Sequence, residues 1–476
     1  MADNNDASTT IVDLPPELIV RVGSYLTTAE LGPLRRSCKQ IEASLFDNFA
    51  SEFFTKRQFM VEHHSLEALV GIANHSGLAS RLTEVLVGTQ ILAGEALSPQ
   101  DDFLAGRLTR DMLLSSGMAR DMLADAFSKL PNLRIVGLRD YDGTGRIRDG
   151  PEARWRSWGW NTSSTMLQNA LPESLLPLLI SALDAARARP ENLEVILRRY
   201  PLKPKSLEIA YHTMKAATPS FLSSLRVLFL TLQHYLDDSH ASARPYDEGN
   251  PFDAPLKRFM HSLSSLEHLR LNFRHPNKWP RHFLDWLGRP ASSPSVANQL
   301  PVPAVQLPNL TSLELGMATV TGPTLVRVLT KFDLKLFSLW RIAIEVADGT
   351  KDYWSEIFAE LSNDLPPSSR LRTVKLGNLS QAQKPGHWTR PFGTYFVPEG
   401  TQPHLKKDAQ REASADFKAQ FTGKTVHQWL KELSERTWVP DMHLRPDPDS
   451  DSDDGGADSD DVDGENEDDD EDEEDE

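Results

Sequence analysis

Few residues of this chain could do covalent chemistry, and their spacing argues against it. Cys38 is the sole cysteine, so no intrachain disulfide can form. It reads as a small buried hydrophobe rather than a nucleophile. His63 and His64 are adjacent; metal ligation from one helix face needs i, i+4 spacing. Asp142-Gly143-Thr144-Gly145 offers glycines for a phosphate loop but has no third glycine at the required spacing and no clear helix behind it. The phosphate-loop, zinc-protease and nucleophile-elbow patterns are absent. The chain is therefore expected to hold no catalytic residue, metal or cofactor. Recognition chemistry is better represented. Between Arg139 and Trp160 stand Arg146, Arg148, Arg154 and Arg156 with Trp155 and Trp158, and Arg and Trp dominate binding hot spots. Two readings follow. The stretch is a target-recognition loop, or its tryptophans fold back onto the body while Asp140, Asp142, Asp149 and Glu152 neutralise the arginines.

Such residues need a frame, and one apolar pattern recurs. It runs Leu130-Leu133-Val136-Leu138, Leu222-Leu225-Leu228-Leu230, Leu263-Leu266-Leu269-Leu271 and Leu307-Leu310-Leu313-Leu315. Weaker copies are Ala79-Leu82-Val85-Val87 and Ser368-Leu371-Val374-Leu376. The last two positions of each are two apart, as on one face of a strand. The three-residue steps before them are turn-like. No single copy can bury its leucines, but stacked copies can. Helical candidates at 321–330 and 354–361 lie between copies. The arrangement resembles leucine-rich repeats, though the anchors Leu82, Leu133, Leu225, Leu266, Leu310 and Leu371 lie 51, 92, 41, 44 and 61 residues apart. The asparagine that usually follows the strand is also missing. The expected fold class is α/β: a small three-helix unit, then an irregular leucine-rich-repeat-like solenoid, then a disordered acidic tail. Residues alternating with the buried ones should share the other face of the strands. Among them Arg139, Phe229, His268, Arg270 and Lys375, together with Trp155 and Trp158 of the loop, are candidate target contacts.

Charge divides the chain unevenly. The formal net charge is -17, with 51 basic and 68 acidic residues. From Asp447 to Glu476 there are 20 acidic residues and no Lys or Arg, so the rest carries 51 basic against 48 acidic. That body lacks the strongly basic surface of a nucleic-acid binder. No apolar window of about 18 residues exists for a membrane span, and residues 1–10 resemble no secretory signal. A cytoplasmic or nuclear protein, with neither nucleic acid nor membrane as partner, is expected. Five zones follow: a polar lead 1–12, a helical unit 13–55, the repeat region 56–380, an extension 381–440 and the acidic run 441–476. The last cannot bury enough apolar surface to offset chain entropy. It is a solubilising end or a binder of basic proteins, and Ser450 and Ser452 resemble casein-kinase-type acceptor sites.

Residues 13–49 read DLPPELIVRVGSYLTTAELGPLRRSCKQIEASLFDNF. Helix one is expected from Pro15, with Glu17 in its first turn and Leu18, Val22 and Tyr25 or Leu26 at helical spacing. Thr27 and Glu30 form a capping box for helix two, which offers Leu31 and Leu34. Helix three offers Ile41, Leu45, Phe46 and Phe49. So small a unit is marginal alone and needs a partner to bury Leu14, Leu18, Leu31 and Leu34. The opening L-P-P-E-L and the closing L-x-x-L-R-R-S-C-K resemble an F-box, over about 40 residues. Ile41 stands where a larger residue is common, and Gly32-Pro33 sits early in helix two. The stretch that follows is similar to the post-F-box region of fungal F-box proteins. The resemblance implies a substrate-recognition subunit of an SCF-type cullin-RING ubiquitin ligase, without catalytic residues of its own. It would dock a Skp-type adaptor, and through it a cullin. Leu14, Pro15, Glu17, Leu18, Leu31, Leu34, Arg35 and Cys38 occupy the motif positions. The structural reading of the same leucines is that Leu18 and Leu34 above all hold the helices together. The alternative function is a ligase-independent repeat scaffold that binds basic nuclear proteins through its acidic tail.

Overall fold

The computed structural model describes residues 10–91, 111–155, 157, 168–169, 172–208, 220–233, 253–274, 279–290, 302–346, 352–383, 392–401, 409, 413–420 and 423–439. The acidic run 441–476, residues 1–9 and Trp158 lie outside them.

The chain opens with three helices, α1 (Pro16–Ser24), α2 (Thr28–Ser37) and α3 (Lys39–Phe54). Helix α1 starts one residue later than its sequence suggests, because Pro15 is extended and serves as the N-cap while Pro16 takes the first helical position. The Thr27–Glu30 capping box forms. Pro33 lies inside α2. Cys38 is the N-cap of α3, its sulfur accepting from the Ile41 N–H at 3.5 Å. The bundle closes on Ile19, Leu31, Ile41 and Leu45, all buried. Gly23 permits this: a Cβ there would come within 2.9 Å of Leu45 Cδ2.

Only Thr55 separates α3 from the first strand, and bundle and sheet belong to one compact unit. The main sheet has ten strands in chain order: β1 (Lys56–Met60), β2 (Glu84–Gly88), β3 (Ile135–Arg139), β4 (Asn192–Ile196), β5 (Val227–Leu232), β6 (His268–Phe273), β7 (Ser312–Gly316), β8 (Leu336–Trp340), β9 (Thr373–Gly377) and β10 (Asp416–Gln420). The first nine run parallel; β10 pairs antiparallel with β9. The fold is thus α/β with a parallel sheet. One contact repeats along it. The carbonyls of Thr55, Thr83, Arg134, Glu191, Arg226, Glu267, Thr311 and Lys335 each accept from two successive N–H groups at the start of the next strand, at 2.7–3.2 Å. After β7, β8 and β9 the chain turns through Met317, Arg341 and Asn378, all with positive φ, into short strands at Thr319–Val320, Ala343–Val346 and Ser380–Gln383 that build a second parallel ladder.

The motif leucines lie in one core. Leu225, Leu228, Leu230, Leu266, Leu269, Leu271, Leu310, Leu313 and Leu315 are buried with the inner residues of the helices, and each such side chain contributes about 1.5–3 kcal/mol. The helices form a layer: α4 (His63–Asn74), α5 (Met118–Ser128) and α6 (Pro172–Ala186) pack in turn, then α7 (Ala254–His261) follows, and α8 (Trp279–Gly288), α9 (Gly322–Lys331), α10 (Tyr353–Asp364) and α11 (Val426–Arg436) pack in turn. No described helix is long and apolar enough to cross a membrane.

The repeat pattern missed β1, β4 and β8. At β4, Pro190 stands where the anchoring leucine would be; at β8, Lys331 replaces the first apolar residue ahead of Leu334, Phe337 and Leu339. The Lys331 ammonium turns to the carbonyls of Leu287 (2.7 Å) and Val305 (2.8 Å), and burial pushes its pKa down to about 8. The extension expected from 381 completes the sheet: Ser380–Gln383 crosses that boundary, and β10 and α11 lie beyond it.

Candidate functional site

Helix α1 is apolar on two sides. Ile19 and Gly23 face the bundle and are buried. Leu18, Val22 and Tyr25 face outward at 45%, 39% and 77% exposure, with Ile11 at 39% just before the helix. The spacing 18, 22, 25 is one helical stripe; Leu14, in the extended link before α1, is half-buried. Pro15 and Glu17 are also on the surface, while Leu34 and Cys38 are half-buried. The Arg35 guanidinium lies 3.3 Å from the centre of the Phe49 ring and 3.6 Å from Glu42, and burial lowers its pKa. The two expected contacts Leu31 and Leu18 part company. Leu31, taken as an adaptor contact, is buried under Gly23 and holds the bundle. Leu18, an expected adaptor contact whose alternative role was to hold the bundle, is exposed, because Ile19 fills the interior instead. Val22 and Tyr25 belong to the exposed stripe but not to the motif positions. Their signal in the sequence is a short helix with two apolar stripes, one more than a small bundle needs.

The Arg-rich stretch after β3 is a strap between bundle and sheet. Asp140 is buried and accepts from the N–H groups of Arg198, Arg199 and Tyr200 at 2.6, 2.6 and 3.1 Å. Gly143–Thr144 pairs antiparallel with Arg154–Trp155. At the tip, Arg148 Nη1 donates to the carbonyls of Gly23 (3.0 Å) and Leu26 (2.7 Å), and the guanidinium pairs with both oxygens of Glu52. The Gly23 carbonyl, which already accepts from the Leu26 N–H at 3.3 Å, and the Leu26 carbonyl just past α1 thereby gain a charged donor. Asp149 accepts from the N–H and hydroxyl of Thr28 at 2.7 and 2.6 Å, at the start of α2. Burial pushes the Asp149 carboxyl up; the Thr28 bonds and the charges of Arg146 and Arg148 outweigh it and hold it below the usual value. Arg146 stacks on Phe53 at 4.1 Å. Beyond the hairpin, Ser157 Oγ accepts from Gln58 Nε2 (2.8 Å) and donates to Gln90 Oε1 (3.1 Å), over Gly88. The arginines at the tip are thus used inside the chain, by the bundle as well as by acids of the loop.

The odd positions of the strands share the outer face of the sheet. Phe229 and His268 meet edge to face at 4.9 Å, and Arg270 lies 5.8 Å from the Phe229 ring centre. His268 Nε2 is 2.6 Å from Glu314 Oε1. Burial pushes the Glu314 carboxyl up, but the His268 hydrogen bond and the charges of His268, Arg270 and Lys375 bring it below the ordinary value. Phe229, His268, Arg270 and Glu314 form one cluster on β5–β7. Arg139 and Lys375 lie on the same face but not in it. Arg139, on β3, is 3.9 Å from Glu194; Lys375, on β9, is exposed. At about 4.8 Å per strand they stand roughly 29 Å apart. The arrangement can hold a polypeptide by contacts on separate strands. It offers no pairing of a nucleophile with a base. Trp340, 37% exposed on this face, escaped the sequence reading together with its strand.

No family model matches the chain, and no curated protein matches it. Among solved structures, the chain is similar to one described as the crystal structure of the Rad7 and Elc1 complex in yeast. The identity is 12%, the TM-score 0.26, and the match covers 79% of this chain and 91% of that one. At that TM-score the likeness carries no argument.

Proposed function

We propose that the chain is a non-catalytic substrate receptor of a cullin-RING ubiquitin ligase, with an F-box at 13–55 and a leucine-rich-repeat-like domain behind it. In this reading α1 docks a Skp-type adaptor, and through it a cullin, while the outer face of the sheet holds a protein target. The observation that supports it is the apolar stripe of Leu18, Val22 and Tyr25, exposed on a helix whose other side already closes the bundle. A contiguous apolar surface of this kind marks an interaction site. Catalysis is then by proximity: the receptor raises the target's effective concentration beside a loaded partner and makes no bond itself. Work in the cytoplasm or nucleus follows from that role.

The test is co-purification of the full chain with a Skp-type adaptor. Leu18→Ala with Val22→Ala is expected to weaken adaptor binding at least about tenfold while leaving stability within about 0.5 kcal/mol, since both side chains face solvent. A wild-type chain that captures no adaptor ends the proposal.

A further inference from the structure

The outer face of the sheet is neutralised at one end and not at the other. Across β1–β4 its charges are matched within the chain, Lys56 with Glu84 at 3.4 Å and Arg139 with Glu194 at 3.9 Å, and the strap seals Gln58. At the other end, Lys375 and Lys418 are direct partners in the antiparallel β9–β10 pair, and both are exposed. Directly opposed side chains have Cβ atoms about 4.5–5.5 Å apart, where like charges repel. Among the described residues neither lysine forms an ion pair, nor does Arg270. Among the described residues the acids on this part of the face are Glu314, bonded to His268 and within the field of Arg270 and Lys375 but in contact with neither, and Asp416, opposite Gly377. On the other side of Lys375 its row continues with Ser338. Two residues further along β8, the Trp340 indole lies across Gly377, where any Cβ would collide with the ring. The result is a repelling pair of ammonium groups beside a flat aromatic surface that faces solvent.

We propose that this end of the outer face binds an extended acidic segment of a partner protein. Carboxylates of the segment lie on Lys375 and Lys418 and on Arg270, about 14 Å away across three strands. An apolar or aromatic residue between them rests on Trp340. Cations spread over that distance match a run of carboxylates; a single compact phosphate could engage only the lysine pair. The inference rests on the reading of this face as the target site and involves no part of α1.

The test is fluorescence anisotropy of the full chain with a labelled oligoglutamate peptide carrying one central tryptophan, against an oligolysine peptide of equal length. Lys418→Glu places an acid opposite Lys375. It is expected to weaken the peptide about tenfold and to raise Tm by about 1 °C, by turning a repelling cross-strand pair into an attracting one. The two readouts move in opposite senses, so unfolding cannot mimic the result. Trp340→Ala is expected to weaken the peptide several-fold, and Lys129→Glu, on the helix layer, to leave it unchanged. Equal binding of wild type and Lys418→Glu overturns the inference, as does equal binding of oligolysine. Adaptor capture measured on the same preparations separates the two proposals. Capture with a peptide insensitive to Lys418→Glu sinks the acidic segment alone; a sensitive peptide without capture sinks the ligase reading alone.

Discussion

The two ends of one sheet handle charge differently. Over β1–β4 every basic group of the outer face that the structure pairs finds an acid of this chain, and the strap ties that end to the bundle through Arg148, Asp149 and Ser157. Over β6–β10 the bases Arg270, Lys375 and Lys418 stand without an ion-pair partner among the described residues. The ladder is parallel from β1 to β9 and reverses only at β10, which sets Lys418 opposite Lys375; the rest of the difference lies in the side chains of the odd positions. A chain that satisfies its own charges at one end builds a rigid joint there. Charge left over at the other end is available to something else.

The largest effect should come from the joint. Arg148→Ala removes the pairing with Glu52 and the bonds to the Gly23 and Leu26 carbonyls, and should cost about 2–3 kcal/mol of local stability. Hydrogen exchange should then accelerate in α1 and α2 while β5–β9 stay protected. Equal acceleration in both regions would show that the strap does not hold the bundle separately, and the contrast between the ends would fail. A matched pair of substitutions sharpens it further. Arg139→Ala removes the nearest cation from Glu194, a carboxyl whose pKa burial already raises, and should cost about 1–2 kcal/mol. Arg270→Ala removes a base that forms no ion pair among the described residues and should stay within about 0.5 kcal/mol. Denaturant midpoints of the two variants check this.

These contrasts are unevenly legible in the sequence. Where Leu occupies all four motif positions, as before β5, β6 and β7, spacing alone finds the strand, because those side chains share one buried face. Where Pro190 or Lys331 substitutes, the strand still forms, held by the carbonyl ladder from Arg134 to Glu191 and from Thr311 to Lys335, and backbone hydrogen bonds leave no trace in a hydrophobic pattern. The burial of Leu31 is hidden for a similar reason: helical spacing finds the apolar residues of α1 and α2 but cannot say which face inward, which Gly23 decides by letting Leu31 and Leu45 approach. The strap could not be read at all. Asp149 and Thr28 are 121 residues apart, and an arginine that caps a distant helix looks like any other arginine in a loop.

A pH-dependent effect tests whether unmatched charge extends beneath the face. Lys331 sits where a motif leucine would, bonded to two backbone carbonyls and to no acid among the described residues. Burial pushes its amine from 10.5 to about 8. Between those two values the unfolded chain holds the proton more tightly than the folded one, so folding gains stability as pH rises through the window. The amine is only half-buried, and solvent screens it, so the gain should be about 1 kcal/mol, or roughly 2 °C in Tm. Lys331→Met removes the titration and leaves every other group in place. The difference in Tm between wild type and Lys331→Met, taken at pH 7.5 and again at pH 10, should therefore shift by that amount in favour of wild type. An unchanged difference would mean that the carbonyls of Leu287 and Val305 keep the proton on the amine through the window. Lys331 would then be matched by backbone dipoles as fully as Arg139 is by Glu194, and only the outer-face bases would remain unmatched.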